Sequence, residues 1–261
     1  MEILVTNDDG YKALGINLIA GFLRKYGNVT VVAPLEPQSG KSASLTLRQP
    51  MYLDKIRDEE GLRIYTLTGT PVDCVKMGVK LFVDEGKFPD LLVSGINHGS
   101  NASAASLYSG TLGAAAEGTI YGIPSIGLSI DTHDPEPDFG IVLKYGAKIL
   151  DRAMETGFDN GVYLNVNFPD IPADEAAGIR FARQGRGRWV KEYEDGRDES
   201  GRDCFVMVGA FKDLEDDSAP CCDSLCGDHK LVQDKYISIV PHRIDTTDYQ
   251  EASRLASIWE F

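Results

Sequence analysis

The chain has 261 residues, of which 43% are hydrophobic and 25% are charged, and its formal net charge is −14 at neutral pH. This composition predicts a soluble protein with a large core, because no apolar run is long enough to span a membrane. The negative charge repels DNA, RNA and anionic membranes, so none of these is a predicted partner.

Strands and helices alternate in the first part of the chain. An apolar strand at Ile3–Val5 precedes a helix at Gly15–Tyr26 and a second strand at Val29–Ala33. A polar loop at Pro34–Leu47 follows, and it is long for a connection within a compact domain. The next strand is predicted at Arg63–Leu67.

A helix begins after Thr70, because a cap residue, Pro71 and the carboxylate of Asp73 occupy the positions of a helix N-terminus. Its predicted core face consists of Val72, Val75, Val79, Phe82 and Val83. Four more elements follow, namely a strand at Asp90–Ser94, a helix at Ser109–Tyr121, a strand at Ile123–Ile130 and a helix at Phe139–Glu155. This alternation predicts an α/β fold with a Rossmann-like, mostly parallel sheet and helices on both faces.

The pattern changes after Asn160. Five strand-like segments follow with turns between them, at Val162–Val166, Ile179–Ala182, Arg188–Tyr193, Cys204–Phe211 and Tyr236–Val240. The next strong helix is predicted at Tyr249–Trp259. We therefore predict a catalytic core at residues 1–160 and a β-rich extension at 161–261, which returns one strand to the core, ends in a helix and mediates oligomerisation.

Polar residues follow three of the predicted parallel strands. The first strand leads into Thr6-Asn-Asp-Asp-Gly10, the second into the loop that contains Ser39, and the strand at Asp90–Ser94 into Gly95-Ile-Asn-His-Gly-Ser-Asn101. Ligands of open parallel sheets bind where strands end at their carboxyl termini. The three loops are therefore the predicted site.

The adjacent carboxylates Asp8 and Asp9 predict a metal ion, since two buried anions repel each other unless a cation lies between them. Carboxylate, hydroxyl and amide oxygens favour Mg²⁺, Mn²⁺ or Ca²⁺ over zinc. Asp-Asp-Gly taken alone is also a common turn sequence. The position directly after an apolar strand favours the metal interpretation.

Tyr108-Ser-Gly-Thr111 leads into the predicted helix at Ser109–Tyr121 and can form an anion site from exposed N–H groups. The alternative is an ordinary Ser or Thr cap. A metal and an anion site together describe metal-assisted hydrolysis of a phosphoester. The basic stretch from Arg180 to Lys191 is interpreted as an exposed hairpin, with a rim for an anionic substrate as the alternative.

Two features predict a cytoplasmic location. Met1–Val5 enter a strand without a signal-like segment. The five cysteines do not form the pattern of a disulfide framework, so reduced thiols are expected. The spacing of the last three also fits no common zinc site, and they are not predicted to be catalytic. The cysteines are Cys74, Cys204, Cys221, Cys222 and Cys226.

Several motifs in one order resemble a known family. They are Ile3-Leu-Val-Thr-Asn-Asp-Asp-Gly10, Ala33-Pro34 with Gln38-Ser-Gly40, Thr68-Gly-Thr-Pro71 with Asp73-Cys74, Ser94-Gly-Ile-Asn97 with Gly99 and Asn101, and Tyr108-Ser-Gly-Thr-Leu-Gly-Ala-Ala115 with Glu117-Gly118. By these motifs the chain resembles the SurE family, the stationary-phase survival proteins that act as metal-dependent 5'-nucleotidases. The resemblance extends over most of the chain.

The resemblance implies hydrolysis of nucleoside 5'-monophosphates, with 3'-nucleotides and short polyphosphate as additional substrates. It also implies one Mg²⁺ or Mn²⁺ ion per subunit and a swapped extension that forms a homodimer or a homotetramer. The implied metal ligands are Asp8, Asp9, Ser39 and Asn97, and either aspartate is the implied proton acceptor. The implied phosphate contacts are Asn101, Ser109, Gly110 and Thr111.

Two alternatives belong to other functional classes. A phospho-receiver module also has an acidic pair after its first strand, but it needs an Asp after the central strand, where this chain has Ser94, Asn97 and Asn101. Stable labelling by acetyl phosphate would favour that class. The second alternative is a scaffold or nucleotide sensor that keeps the fold without turnover.

Overall fold

A computed structural model describes residues 1–215 and 225–259. The described strands are β1 (Glu2–Thr6), β2 (Asn28–Pro34), β3 (Leu53–Glu59), β4 (Leu62–Leu67), β5 (Leu91–His98), β6 (Ser125–Asp131), β7 (Val162–Pro169), β8 (Gly178–Phe181), β9 (Gly187–Val190), β10 (Tyr193–Arg197), β11 (Asp203–Met207), β12 (Ala210–Asp213) and β13 (Tyr236–Arg243). The described α-helices are α1 (Leu14–Leu23), α2 (Pro71–Asp84), α3 (Gly110–Ile120), α4 (Gly140–Thr156), α5 (Asp228–Gln233) and α6 (Tyr249–Ala256).

Nine strands form one sheet in the order β3-β4-β2-β1-β5-β6-β7-β13-β8. The pairs from β4 through β7 are all parallel. Antiparallel pairs occur between β3 and β4 and between β7 and β13. The predicted α/β class with a mostly parallel sheet is therefore confirmed.

The sheet has a hydrophobic core on each face, because successive side chains of a strand point to opposite sides. In β1, Ile3 and Val5 belong to the cluster that contains α1 and α4 residues such as Ile16 and Ile149. Leu4 belongs to the other cluster, which contains residues of α2 and α3. Burial on both faces explains why Ile3, Leu4 and Val5, the three central residues of β1, are all apolar.

The predicted start of α2 is confirmed in detail. The Thr70 side chain accepts a hydrogen bond from the backbone N–H of Asp73, and the Asp73 carboxylate accepts one from the backbone N–H of Thr70. This capping box satisfies two N–H groups that a helix start leaves without partners. Four of the five predicted core residues are buried, but Val83 is 55% exposed, because it lies at the last turn beyond the edge of the core face.

Several elements after residue 160 differ from the predicted segments. Lys191, with a φ of +54°, separates β9 from β10 within the predicted strand Arg188–Tyr193. Gly209, with a φ of +139°, separates β11 from β12 within Cys204–Phe211. These backbone angles interrupt an extended strand, so two short antiparallel pairs form, β9 with β12 and β10 with β11.

The strand β3 and the helix α5 were not predicted. β3 pairs with β4 at the edge of the sheet, and its exposed, mostly charged sequence lacks the apolar pattern of a buried strand. The helix α5 has only six residues, which is too short for helical periodicity to be visible in sequence. Both elements depend on tertiary contacts more than on local propensity.

The cysteines correct one expectation. Cys74 and Cys204 are free thiols, but Cys226 is disulfide-bonded, so the prediction of reduced thiols is wrong for this residue. An odd number of cysteines requires only that one of them stays unpaired. Cys221 and Cys222 lie outside the described residues. Within the described ranges, every helix is too short or too polar to cross a membrane.

Candidate active site

The three predicted loops meet at one edge of the sheet. β1 lies between β2 and β5, and both pairs are parallel. Their carboxyl ends therefore point to the same edge, where ligands bind in open α/β sheets. The loop after β1 contains Asp8 and Asp9, the loop after β2 contains Ser39, and Asn97 lies near the end of β5.

Asp8 is buried against the first turn of α3, with only 4% of its surface exposed. The Thr111 hydroxyl donates a hydrogen bond of 2.6 Å to Asp8 Oδ1. Gly110 is equally close, since a Cβ at this position would lie 2.8 Å from Asp8 Cβ and 2.9 Å from Asp8 Oδ2. Position 110 thus has no room for a side chain beside the carboxylate.

Asp9 connects the loop after β1 to β5. Its Oδ2 accepts a hydrogen bond of 3.2 Å from the backbone N–H of His98. The neighbouring Asn97 is half-buried, and its side-chain nitrogen donates 2.7 Å to the Gly99 carbonyl. This bond orients the amide and leaves the Asn97 side-chain oxygen as the available metal donor.

Ser39 is exposed and has no hydrogen bond to either aspartate within the described part of the chain. The preceding residue, Gln38, contacts Asp8, because its backbone N–H donates a hydrogen bond of 2.7 Å to the Asp8 carbonyl. Further along the loop, the Ser42 hydroxyl donates 2.8 Å to the Leu107 carbonyl. These contacts keep the Ser39 loop beside the aspartates.

The pKa of Asp8 is raised to about 6, because burial disfavours its charged form and the charge of Asp9 acts in the same direction, while the Thr111 hydrogen bond opposes the shift. Burial also raises the pKa of Asp9, against the hydrogen bond from His98. The anionic forms are thus disfavoured in the absence of a counter-charge. Among residues 1–215 and 225–259, no cluster of three or more His, Cys, Asp or Glu forms a metal site, so neutral oxygens must complete one here. Hydroxyl and amide donors beside two carboxylates suit Mg²⁺ or Mn²⁺.

The raised pKa predicts that the metal-free protein becomes less stable as pH rises. With an ordinary pKa of 3.8 in the unfolded chain and about 6 in the fold, Asp8 binds its proton more tightly when folded. The stability that this tighter proton binding gives the fold is fully present below pH 3.8. It is lost as pH rises through about 6, which lowers the free energy of unfolding by about 3 kcal/mol.

Urea unfolding in EDTA between pH 4 and 7 measures this effect, with Asp8→Asn as the control that cannot titrate. We expect the wild type to lose more stability than the variant across this range. Parallel curves for the two proteins would contradict the expectation.

The predicted phosphate contacts lie around the start of α3. The Ser109 side chain caps the helix by accepting 3.1 Å from the backbone N–H of Leu112, so the cap interpretation holds for this hydroxyl. The Thr111 hydroxyl is engaged with Asp8. The backbone N–H groups of the first turn, including those of Gly110 and Thr111, are the natural anion donors at a helix N-terminus.

Asn101 is buried in a polar network that the sequence interpretation missed. Its side-chain nitrogen donates 2.8 Å to Ser129 Oγ, and its backbone N–H donates 2.8 Å to Asn167 Oδ1. Asn165 Nδ2 donates 3.0 Å to the Asn101 carbonyl. The available signal was the pair of asparagines at alternate positions in the otherwise apolar strand β7, because buried amides require partners.

Asp228 was also missed, and it joins the extension to the active-site loop. Its carboxylate is fully buried and accepts hydrogen bonds of 2.9 Å from the backbone N–H groups of Ser103 and Gly185. Ser103 follows Asn101 by two residues and has a φ of +55°. The position of the Asn101 loop therefore depends on a residue far along the chain.

Comparisons with known proteins show which family this chain resembles. A family model described as "Survival protein SurE" matches residues 3–191. The 5'-nucleotidase SurE of Chlorobaculum tepidum is 38% identical over 254 residues, which cover 97% of this chain and 93% of that protein. The 5'-nucleotidase SurE of Phocaeicola vulgatus is 39% identical over 247 residues, covering 95% and 92%.

The fold is likewise similar to a solved structure. The crystal structure of the SurE protein from Aquifex aeolicus superimposes with a TM-score of 0.82 at 32% sequence identity. The alignment covers 99% of each chain. The similarity therefore includes the extension as well as the parallel sheet.

Proposed function

The chain belongs to the SurE family of 5'-nucleotidases, and we propose that it hydrolyses nucleoside 5'-monophosphates with one bound divalent metal ion. The observation that carries the metal is the buried Asp8 beside Asp9, with both pKa values raised. The ion is Mg²⁺ or Mn²⁺. Its proposed ligands are Asp8, Asp9, Ser39 and Asn97.

The ion, when bound, supplies a Lewis acid that offsets the negative charge of the phosphoryl group. The first turn of α3 binds the phosphate through its backbone N–H groups, with Asn101 and Ser109 beside it. Thr111 holds the Asp8 carboxylate through their hydrogen bond of 2.6 Å. Asp8 or Asp9 accepts the proton of the attacking water, since both carboxylates lie beside the proposed metal position.

Further substrates follow from the same arrangement. The proposed metal ion and the start of α3 would both act on the phosphate group alone, so 3'-nucleotides and short polyphosphate belong to the proposal. The division into a core at 1–160 and an extension at 161–261 also stays a prediction, as does the cytoplasmic location.

Phosphate release tests the function. AMP, GMP, UMP, 3'-AMP and tripolyphosphate should be assayed with Mg²⁺, with Mn²⁺ and with EDTA. We expect release from the 5'-monophosphates that requires a divalent ion. Activity that persists fully after removal of metal by EDTA and dialysis would contradict the metal, and no release from any 5'-monophosphate would contradict the function.

We also propose that the chain forms a homodimer or a homotetramer through its extension. The strands β10 and β11 form a two-stranded sheet, which is marginally stable in isolation. Phe205 and Met207 in β11 are 72% and 68% exposed. All residues of α6 are exposed except Leu255, which is half-buried. A second subunit would cover this apolar surface.

The Phe205→Ser, Met207→Ser double variant tests the assembly, because both changes reduce apolar contact without touching the proposed ligands. Light scattering at micromolar concentration should show an oligomer for the wild type and a smaller species for the variant. A monodisperse and fully active wild-type monomer would contradict the proposal.

A further inference from the structure

A cavity of about 290 Å³ opens beside the proposed metal site, between the loop after β2 and the end of β4. Its lining includes Glu36 and Gln38 near the start of that loop, Thr46 and Gln49 further along it, and Leu67 at the end of β4. The volume lies near the lower end of the usual range for small-molecule sites. Nothing in the proposed hydrolysis uses this space.

The cavity shares a wall with the carboxylate pair. Gln38 lines the cavity, and its backbone N–H donates 2.7 Å to the Asp8 carbonyl. A Cβ at Gly10 would lie 3.4 Å from the Pro34 carbonyl oxygen and 3.7 Å from the Glu36 carbonyl carbon. The cavity is thus separated from the Asp8 loop only by the backbone of residues 34–38.

The chemistry of the walls disfavours phosphate. Among the described lining residues there is no Lys or Arg, and the one charged side chain is that of Glu36. An acidic wall repels an anion and tolerates a neutral group with N–H or O–H donors. The cavity therefore suits the part of the substrate that carries no phosphate.

Polar groups with free hydrogen-bonding capacity lie beside apolar surface in this cavity. The Gln49 amide and the Thr46 hydroxyl have no hydrogen-bond partner within the described part of the chain, and both residues line the cavity. An amide presents a donor and an acceptor together, which is the pattern on a nucleobase edge. Leu35 and Leu67 add apolar surface for a ring or a sugar.

The part of the cavity lining that contains Thr46 is held in place before any ligand binds. The Thr46 backbone N–H lies 3.2 Å from both oxygens of the buried Asp73 carboxylate. The Thr70 hydroxyl donates 2.7 Å to the Ser44 carbonyl. The capping box of α2 thus also holds the loop that carries Thr46, and a wall held in place before binding lowers the ordering cost for the ligand.

From these observations we infer that the cavity receives the nucleoside of the substrate, and that Thr46 and Gln49 determine which nucleoside is preferred. The inference rests on the proposed function, because it assumes that the phosphate lies at the start of α3. It adds to that function a location for the nucleoside, which is the uncharged part of the substrate. Asp73 acts as a positioning residue for the Thr46 wall.

Kinetics on three phosphomonoesters test the inference. AMP carries base and sugar, ribose 5-phosphate carries only the sugar, and p-nitrophenyl phosphate carries neither. The test variant is Thr46→Val with Gln49→Ala, which keeps the Thr46 backbone N–H that Asp73 binds. Glu60→Ala, at the exposed turn between β3 and β4 and away from the cavity, is the control.

We expect the double variant to raise KM for AMP by about tenfold, as befits the loss of two neutral hydrogen bonds. Its kcat/KM for p-nitrophenyl phosphate should stay within about twofold of wild type, since uniform binding of the phosphate is unchanged. Calorimetry with adenosine in EDTA should show weaker binding to the variant, which gives a readout independent of metal and turnover.

Equal losses on AMP and p-nitrophenyl phosphate would overturn the inference, because the variant would then act through the Ser39 loop. Unchanged kinetics on AMP would overturn it as well. The wild-type reaction with AMP reports the proposed function separately, so a failure of the function is distinguishable from a misplaced nucleoside cavity.

Discussion

Replacing Asp8 by Asn is expected to reduce phosphate release from AMP by at least about 1,000-fold, which corresponds to about 4 kcal/mol of barrier. Asn keeps the size of Asp and an oxygen that can accept the Thr111 hydrogen bond, so the packing against α3 should be preserved. The substitution removes the negative charge to which we assign metal binding and proton acceptance. Asp9→Asn should abolish turnover for the same reason.

The same substitution should stabilise the metal-free protein. The Asp8 carboxylate is buried beside Asp9, and its pKa of about 6 means that ionisation at pH 7 costs up to about 3 kcal/mol of folding free energy. The neutral Asn avoids this cost. With excess Mn²⁺ the order should reverse, because only the wild type gains the full free energy of metal binding.

Melting curves in EDTA and in excess Mn²⁺, recorded beside AMP turnover, measure both effects. Asp54→Asn is a suitable control, since Asp54 is an exposed residue of the edge strand β3. It should leave turnover and melting unchanged. If Asp8→Asn kept more than about a tenth of wild-type turnover, a loss below about 1.4 kcal/mol of barrier, the assignment of Asp8 as a ligand would be wrong.

Gly110→Ala is expected to lower kcat/KM for AMP by about 100-fold, although it adds only a methyl group. The new Cβ would lie 2.8 Å from Asp8 Cβ, an atom too close to the backbone to move aside alone. Either the loop after β1 or the start of α3 must shift. A displacement of about 1 Å in catalytic geometry can cost on the order of 100-fold in rate.

Overpacking at Gly110 should also lower stability by about 1–3 kcal/mol. Gly21→Ala is the matched control, because a Cβ at this position of α1 has no neighbour within 4 Å in the described part of the chain. That variant should be as stable as wild type or more stable by up to about 1 kcal/mol, since Ala favours helix. Mn²⁺ titration calorimetry on both variants measures the effect on the site. Near-normal kcat/KM for Gly110→Ala would show that α3 does not constrain Asp8.

The sequence determined the elements whose signals lie in consecutive residues. The apolar run of β1 leads into Asp8 and Asp9, so the sequence predicted both a buried parallel strand and an acidic pair at its end. The capping box of Thr70 and Asp73 was readable for the same reason, because its partners are three residues apart. The family motifs added the ligand set, which stays a proposal.

Only the tertiary structure decided what surrounds the pair. Thr111 donates to Asp8 across 103 residues of chain, and this contact exists because β1 and β5 are neighbours and α3 packs against β5 and β6. The burial that raises the pKa of Asp8 has the same origin. Likewise Asp228 holds Ser103 across 125 residues. Local patterns specify helices, strands and caps, whereas distant contacts depend on strand order and packing, which no short stretch of sequence encodes.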